Sequence, residues 1–203
     1  MKTAQRLLVL VFMCSLVVAT LALLVRVPAV LGQPADGRSA VSWKTSLGEV
    51  RQLGEATLRW MGLKVYDARL YGPARGLSAE QLFEHPFALE LNYALSLRGA
   101  RIADRSIEEI NQLGLGTDEE RRRWHGQMLS LFPDVRAADR LTGVYHPRHG
   151  AQFYFNDQPA GEIADLRFAR AFFSIWLDER TSVPAVRRDL IRGLSATTAD
   201  SRP

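Results

Sequence analysis

Cysteine is almost absent: Cys14 is the only one in 203 residues, and it stands inside an apolar run near the N-terminus. The chain beyond that run therefore has no disulfide and no thiol chemistry, even in an oxidising compartment. Its stability must come from an apolar core, which about 170 residues can build. Charge of one sign is also scarce. The net charge is +4, but residues 1–32 hold Lys2, Arg6 and Arg26 and no acid, leaving 23 cations against 22 acids in the rest. That balance removes the electrostatic case for a nucleic-acid partner. There is no internal repeat and no Gly-x-Ser-x-Gly elbow. Gly114 and Gly116 are an isolated pair between two predicted helices, where helix C-caps account for them without a phosphate loop. With 47% hydrophobic and 24% charged residues, the composition is neither disordered nor collagen-like.

What is present first is a leader. Lys2 and Arg6 precede an uncharged run from Leu7 to Val25, and Arg26, Val27, Pro28, Ala29, Val30, Leu31 and Gly32 follow. Positive flank, apolar core and small-residue exit are the layout of a secretory signal. The run is long for a signal core and close to the ~20 residues of a bilayer span. Residues 1–32 are therefore read as a signal peptide or an N-terminal anchor, with both left open. Either way the positive end stays inside and the rest is expected across the membrane, a periplasmic location, with the inner membrane engaged through residues 7–25 if the leader is retained. Residues 33–44 read as a polar tether, 45–194 as the folded domain, and 195–203 as a small, polar tail.

Within the domain the hydrophobic period changes along the chain. Glu49–Gly54, Ala56–Met61, Leu63–Tyr71, Phe87–Leu95, Leu141–His146 and Ala151–Phe155 read as strands. Asn156-Asp157 reads as a tight turn into Gly161-Glu162-Ile163. Ser78 is expected to cap a short helix, and Ser106 and Thr117, each followed three residues later by Glu, to open two more. Trp124, Met128 and Leu131 share a helix face, as do Leu166, Ala169, Phe173 and Trp176, and Val183–Leu194 reads as a last helix. Strands, then helices, then strands, then helices is an α+β order: an antiparallel sheet covered by a helical layer.

Chemistry-bearing residues are few. His146 and His149 do not share a strand face, which favours a solvated loop pair over metal ligation. His125 and the Arg121-Arg122-Arg123 triplet read as a solvated helix face. The distinctive segment is Leu63–Tyr71. As a strand it places Lys64, Tyr66, Ala68 and Leu70 on one face. Tyr66 and Tyr93, on two strands, can present phenols to one cavity, each combining apolar area with a polar tip. The plainer reading is that both pack in the core. No cofactor and no metal site is predicted.

Lys64-Val-Tyr-Asp-Ala-Arg-Leu-Tyr71 resembles the signature strand of bacterial chalcone-isomerase-like proteins. Phe87–Tyr93, Arg140–Tyr145, Gly150–Asn156 and Phe172–Leu177 resemble further blocks in family order, and together they span about residues 45–194. The resemblance implies an open-faced β-sandwich, with a large antiparallel sheet, a helical layer and a ligand cleft between them. In the plant enzymes of this family a cation and oriented hydroxyls stabilise a developing enolate. By the resemblance, Tyr93 falls on the active-site tyrosine, Tyr66 on a threonine, and Ser174 or Ile175 near a second threonine. The catalytic arginine's position falls at or near Gly54, and the same arginine holds the carboxylate in fatty-acid-binding relatives. Arg59 and Lys64 are the nearby cations for a ligand's polar end.

The expectation is thus an exported, non-catalytic member of this fold that holds a small apolar or amphipathic molecule. Tyr66, Tyr93, Arg59 and Lys64 are its candidate site residues. The alternatives are an isomerase or intramolecular lyase with a rearranged site, and an anchored accessory protein acting through a protein partner. Fold alone does not separate them.

Overall fold

The computed structural model describes residues 43–73 and 78–194. The predicted leader, most of the tether and the C-terminal stretch lie outside the described residues. Among the described residues, no helix is long and apolar enough to cross a membrane.

Six strands form one antiparallel sheet in which each strand pairs with its neighbours in sequence. They are β1 (Val50–Trp60), β2 (Leu63–Pro73), β3 (Phe87–Tyr93), β4 (Arg140–His146), β5 (Gly150–Phe155) and β6 (Gln158–Ile163). The period-two alternation sorts the side chains. Tyr66, Ala68, Leu70, Leu89, Leu91, Tyr93, Leu141, Tyr145 and Phe153 enter the main core on one face. On the other face Trp43, Ala88, Val144 and Tyr154 form a small second cluster. Trp43 belongs to α1 (Trp43–Leu47), a helix that begins inside the segment read as tether.

The main face is covered by α2 (Gly99–Gln112), α3 (Asp118–Leu131), α4 (Leu166–Leu177) and α5 (Pro184–Leu190). Helix α4 is the centre of the layer. It touches β4 and β5 beneath and α2 and α5 beside it, and every residue from Phe168 to Leu177 except Arg170 is buried. A helix apolar nearly all round belongs in such a sandwiched position. Asp165 caps it, accepting from the N–H groups of Arg167 and Phe168, and also accepts from the Trp124 indole at 2.9 Å. One carboxylate thereby ties α3 to the start of α4.

The α+β reading holds, and the differences from the sequence expectation are local. β1 is one strand rather than two, with a register shift between Gln52 and Gly54 where alternation breaks. Thr117 forms the predicted capping box with Glu120. Ser106 does not cap a helix. It lies inside α2, where its hydroxyl donates to the Ile102 carbonyl at 2.8 Å, and the first-turn amide of Gly99 is satisfied by Asp134. After Ser78 there is a turn and then a single 3-10 segment, Leu82–Glu84. The last helix stops at Leu190, because the chain beyond it turns to bond β1: the Gly193 N–H donates to the Leu53 carbonyl at 2.8 Å.

Candidate functional site

Strands β2 and β3 bring Tyr66 and Tyr93 directly opposite one another. Both side chains point toward the helical layer, with ring centroids 5.9 Å apart in an edge-to-face contact. Tyr66 is 8% exposed and Tyr93 is 3% exposed. Two residues that the sequence reading placed on two strands, as phenols for one cavity or as core packing, are thus neighbours under the helices.

Their hydroxyls differ. The Tyr66 oxygen accepts a hydrogen bond from the Trp176 indole N–H of α4 at 2.8 Å. The Tyr93 hydroxyl makes no such bond to another described residue; its neighbour is the Tyr66 ring. Burial pushes the Tyr66 phenol up to about 12, partly opposed by the Trp176 bond, and burial pushes Tyr93 up further still. Both phenols therefore stay protonated at neutral pH. Each can donate a hydrogen bond, and neither is a base at that pH.

Two charged groups of α2 complete the surroundings. Glu109 is buried and is bridged by Arg105, one helical turn earlier. Both act on Tyr66, the carboxylate raising its pKa and the guanidinium lowering it. Ser106 is buried on the same helix. The sequence reading treated this stretch as a helix start and so missed Arg105 and Glu109. Their i, i+4 spacing is the signal that points to a paired face. Trp176 was read only as one more apolar residue of α4, though an indole N–H in a buried position needs an acceptor.

Arg59 and Lys64 are not brought to the tyrosines. Both are exposed at the β1–β2 hairpin end. The Arg59 guanidinium donates to the Gly62 carbonyl at 3.4 Å, and a register shift between Leu58 and Arg59 changes its facing. Lys64 shares the strand parity of Tyr66, but its ammonium forms an ion pair with Asp67.

Gly54 has a steric reason to lack a side chain. A Cβ there would stand 2.1 Å from the Leu190 carbonyl oxygen and 2.4 Å from that of Asp189. The end of α5 lies on the strand where the resemblance would place an arginine. Ser174 and Ile175 are buried in α4. Among the described residues, no three His, Cys, Asp or Glu side chains gather as a metal-binding group. The His146 and His149 rings are 6.3 Å apart, and burial lowers the His146 pKa.

Two surface concavities lie elsewhere. A groove of about 560 Å³ runs between α3 and β6, lined by Arg123, Gln127, Leu131 and Gly161 among others. A second, of about 380 Å³, sits beside Gly54, Asp189 and Arg192. Neither is lined by Tyr66 or Tyr93. From α4, the Trp176 indole reaches the Tyr66 hydroxyl.

Among solved structures, the chain is similar to an Arabidopsis thaliana fatty-acid binding protein, with 15% identity and a TM-score of 0.54 over 70% of this chain and 86% of that one. At that identity the likeness speaks to the fold. No curated protein matches the chain. The chalcone isomerase-like family model matches residues 48–191, the span that carries the sheet, the helical layer and the paired tyrosines, and the chain belongs to the chalcone isomerase-like family.

Proposed function

We propose that this protein is an exported, non-catalytic binder of a small amphipathic molecule with one long apolar part, held between β2–β3 and helices α2 and α4. The observation that carries the proposal is the Tyr66–Tyr93 pair, two protonated phenols side by side beneath the helical layer. The Tyr93 hydroxyl could meet a ligand's oxygen atoms, while Leu91, Ile110 and Phe172 offer an apolar wall for the chain. Arg105, more than half exposed at the rim, supplies a cation for an acidic head group. The fatty-acid-binding function of the structurally similar Arabidopsis protein supports the same class of ligand. Export is supported by Lys2 and Arg6 before the uncharged run 7–25.

Native mass spectrometry of protein purified from its own envelope tests whether a molecule travels with it. Titration with a fluorescent long-chain carboxylate then tests the site. Tyr93→Phe should weaken binding roughly three- to tenfold, the worth of one hydrogen bond. Unchanged affinity in Tyr93→Phe and Arg105→Gln would end the assignment.

A further inference from the structure

Exposed large apolar side chains are not spread evenly over this molecule. Of five among the described residues, three are packed into one turn: Trp60 (50% exposed), Met61 (71%) and Leu63 (67%). Together with Gly62 they form the tip of the β1–β2 hairpin. Trp60 pairs with Leu63, so Met61 and Gly62 are a two-residue turn, with φ of 49° and 83°. Positive φ at both turn positions favours Asn, Asp or Gly and disfavours an unbranched apolar residue such as Met.

The same sheet contains a control. The β5–β6 turn also has two residues, Asn156 and Asp157, with φ of 48° and 67°. It has the same geometry and stands at the same end of the sheet, and it uses the residues that the conformation favours. At the β1–β2 turn the chain instead places a methionine in a disfavoured backbone conformation and leaves tryptophan, methionine and leucine in water. Neither folding nor solubility explains that choice.

The tip also projects. The last main-chain bond from the neighbouring segment to β2 runs from Ala94 N–H to the Val65 carbonyl. Lys64, Leu63 and the turn lie beyond it, roughly 7 Å at the rise of an extended chain. Arg59 and Lys64 flank the apolar residues on the two strands, with Asp67 as the acid nearest Lys64. Tryptophan at the tip, aliphatic side chains beside it and cations just behind is the arrangement suited to a bilayer interface, where indole sits at head-group level and cations meet anionic lipids. A protein partner is the poorer fit. Three side chains on a protrusion offer a few hundred Å², well under the ~1,200 Å² of a stable interface.

We infer that the Trp60-Met61-Gly62-Leu63 tip dips into the interface of an anionic phospholipid bilayer, with Arg59 and Lys64 at the head groups. The inference does not depend on the ligand proposal. The molecule provides its own probe, because Trp43, Trp124 and Trp176 are buried and Trp60 is the exposed tryptophan. The full chain is reconstituted with vesicles of phosphatidylcholine and phosphatidylglycerol, with and without bromine on the acyl chains. The Trp60 signal is taken as the difference from Trp60→Phe. An anchor elsewhere in the chain would tether the protein but would not place this indole among acyl chains. The expected result is a blue-shifted Trp60 emission that brominated lipid quenches, and the loss of both effects in Met61→Asn, which suits the turn and keeps it folded. Trp60 emission that brominated lipid leaves unchanged and aqueous acrylamide quenches equally with and without vesicles would overturn the inference. So would a blue shift that appears without vesicles and grows with protein concentration, which would assign the tip to a second copy of the chain.

Discussion

Trp176 and Tyr66 stand 110 positions apart and share a buried hydrogen bond of 2.8 Å, indole N–H to phenol oxygen. Directly across the strand pair, Tyr93 has the same side chain, is buried too, and makes no such bond to another described residue. The two tyrosines therefore respond differently to the same substitution. Tyr66→Phe orphans the Trp176 indole and should cost about 1–3 kcal/mol of stability. Tyr93→Phe removes a hydroxyl that makes no such bond and should leave stability within about 0.5 kcal/mol of the parent, or raise it. Urea unfolding of both variants checks the contrast, and equal losses would contradict it.

Alkaline pH acts on the same pair. The folded Tyr66 phenol sits at about 12 because burial penalises the phenolate. In the unfolded chain it returns to about 10. A folded pKa raised above the unfolded one means a contribution fully present below pH 10 and lost as pH rises through 12. Roughly 2–3 kcal/mol follows from two pK units, as an upper figure. Stability measured across this window should fall steeply in the parent and less steeply in Tyr66→Phe. Some slope should remain, since Tyr93 is raised too.

The contact at Gly54 makes a separate prediction. Gly54→Ala sets a methyl group against the Leu190 and Asp189 carbonyls, where no flexible side chain can yield. Overpacking of this kind costs about 1–3 kcal/mol or more. Gly54→Arg should unseat α5 instead of supplying a cation to the tyrosines. A variant that melts with the parent would show that α5 is easily displaced.

Asp165 carries several bonds at once, to two backbone amides, to Trp124 and to Arg123. Asp165→Ala should lose about 0.5–2 kcal/mol for the cap and more for the stranded buried indole. Hydrogen bonds from Trp124, Phe168, Arg123 and Arg167 outweigh desolvation and hold its carboxyl below the usual range. A depressed folded pKa contributes stability above the unfolded value and loses it as pH falls through the folded one. The acid limb of the stability curve should therefore flatten in Asp165→Asn, measured by melts at falling pH.

Export has its own check. A reporter that is active only outside the cytoplasm, fused after Pro203, should be active. Activity of a strictly cytoplasmic reporter at that place would refute it.

Most of the sheet was legible because alternation is a local signal. Phe87–Tyr93 and Gly150–Phe155 carry their facing in their own residues, and Asn156-Asp157 announces its turn. Thr117 and Ser106 have the same local pattern, yet only Thr117 is a cap. The difference is tertiary: Asp134, 35 residues from Gly99, satisfies the earlier start of α2. The tyrosine pair was named from the sequence as two phenols on two strands, but Trp176, Arg105 and Glu109 were not. No short-range pattern states that an indole on α4 will meet a phenol on β2. The resemblance added the open-faced arrangement to an element order already read from patterning, and Gly54 shows its limit, because only the packing of α5 explains why that position is bare.

The seating of α5 on β1 also has a kinetic side. β1 runs from Val50, but its Leu53 carbonyl waits for the amide of Gly193, and the Arg51 guanidinium for the Gly193 carbonyl at 2.9 Å. These are among the longest loops the chain closes, and long loops close late. Until residues 184–193 arrive, the first strand has no α5 cover. The domain therefore cannot finish folding from its N-terminal side alone, and the closure of α5 onto β1 should be a late step.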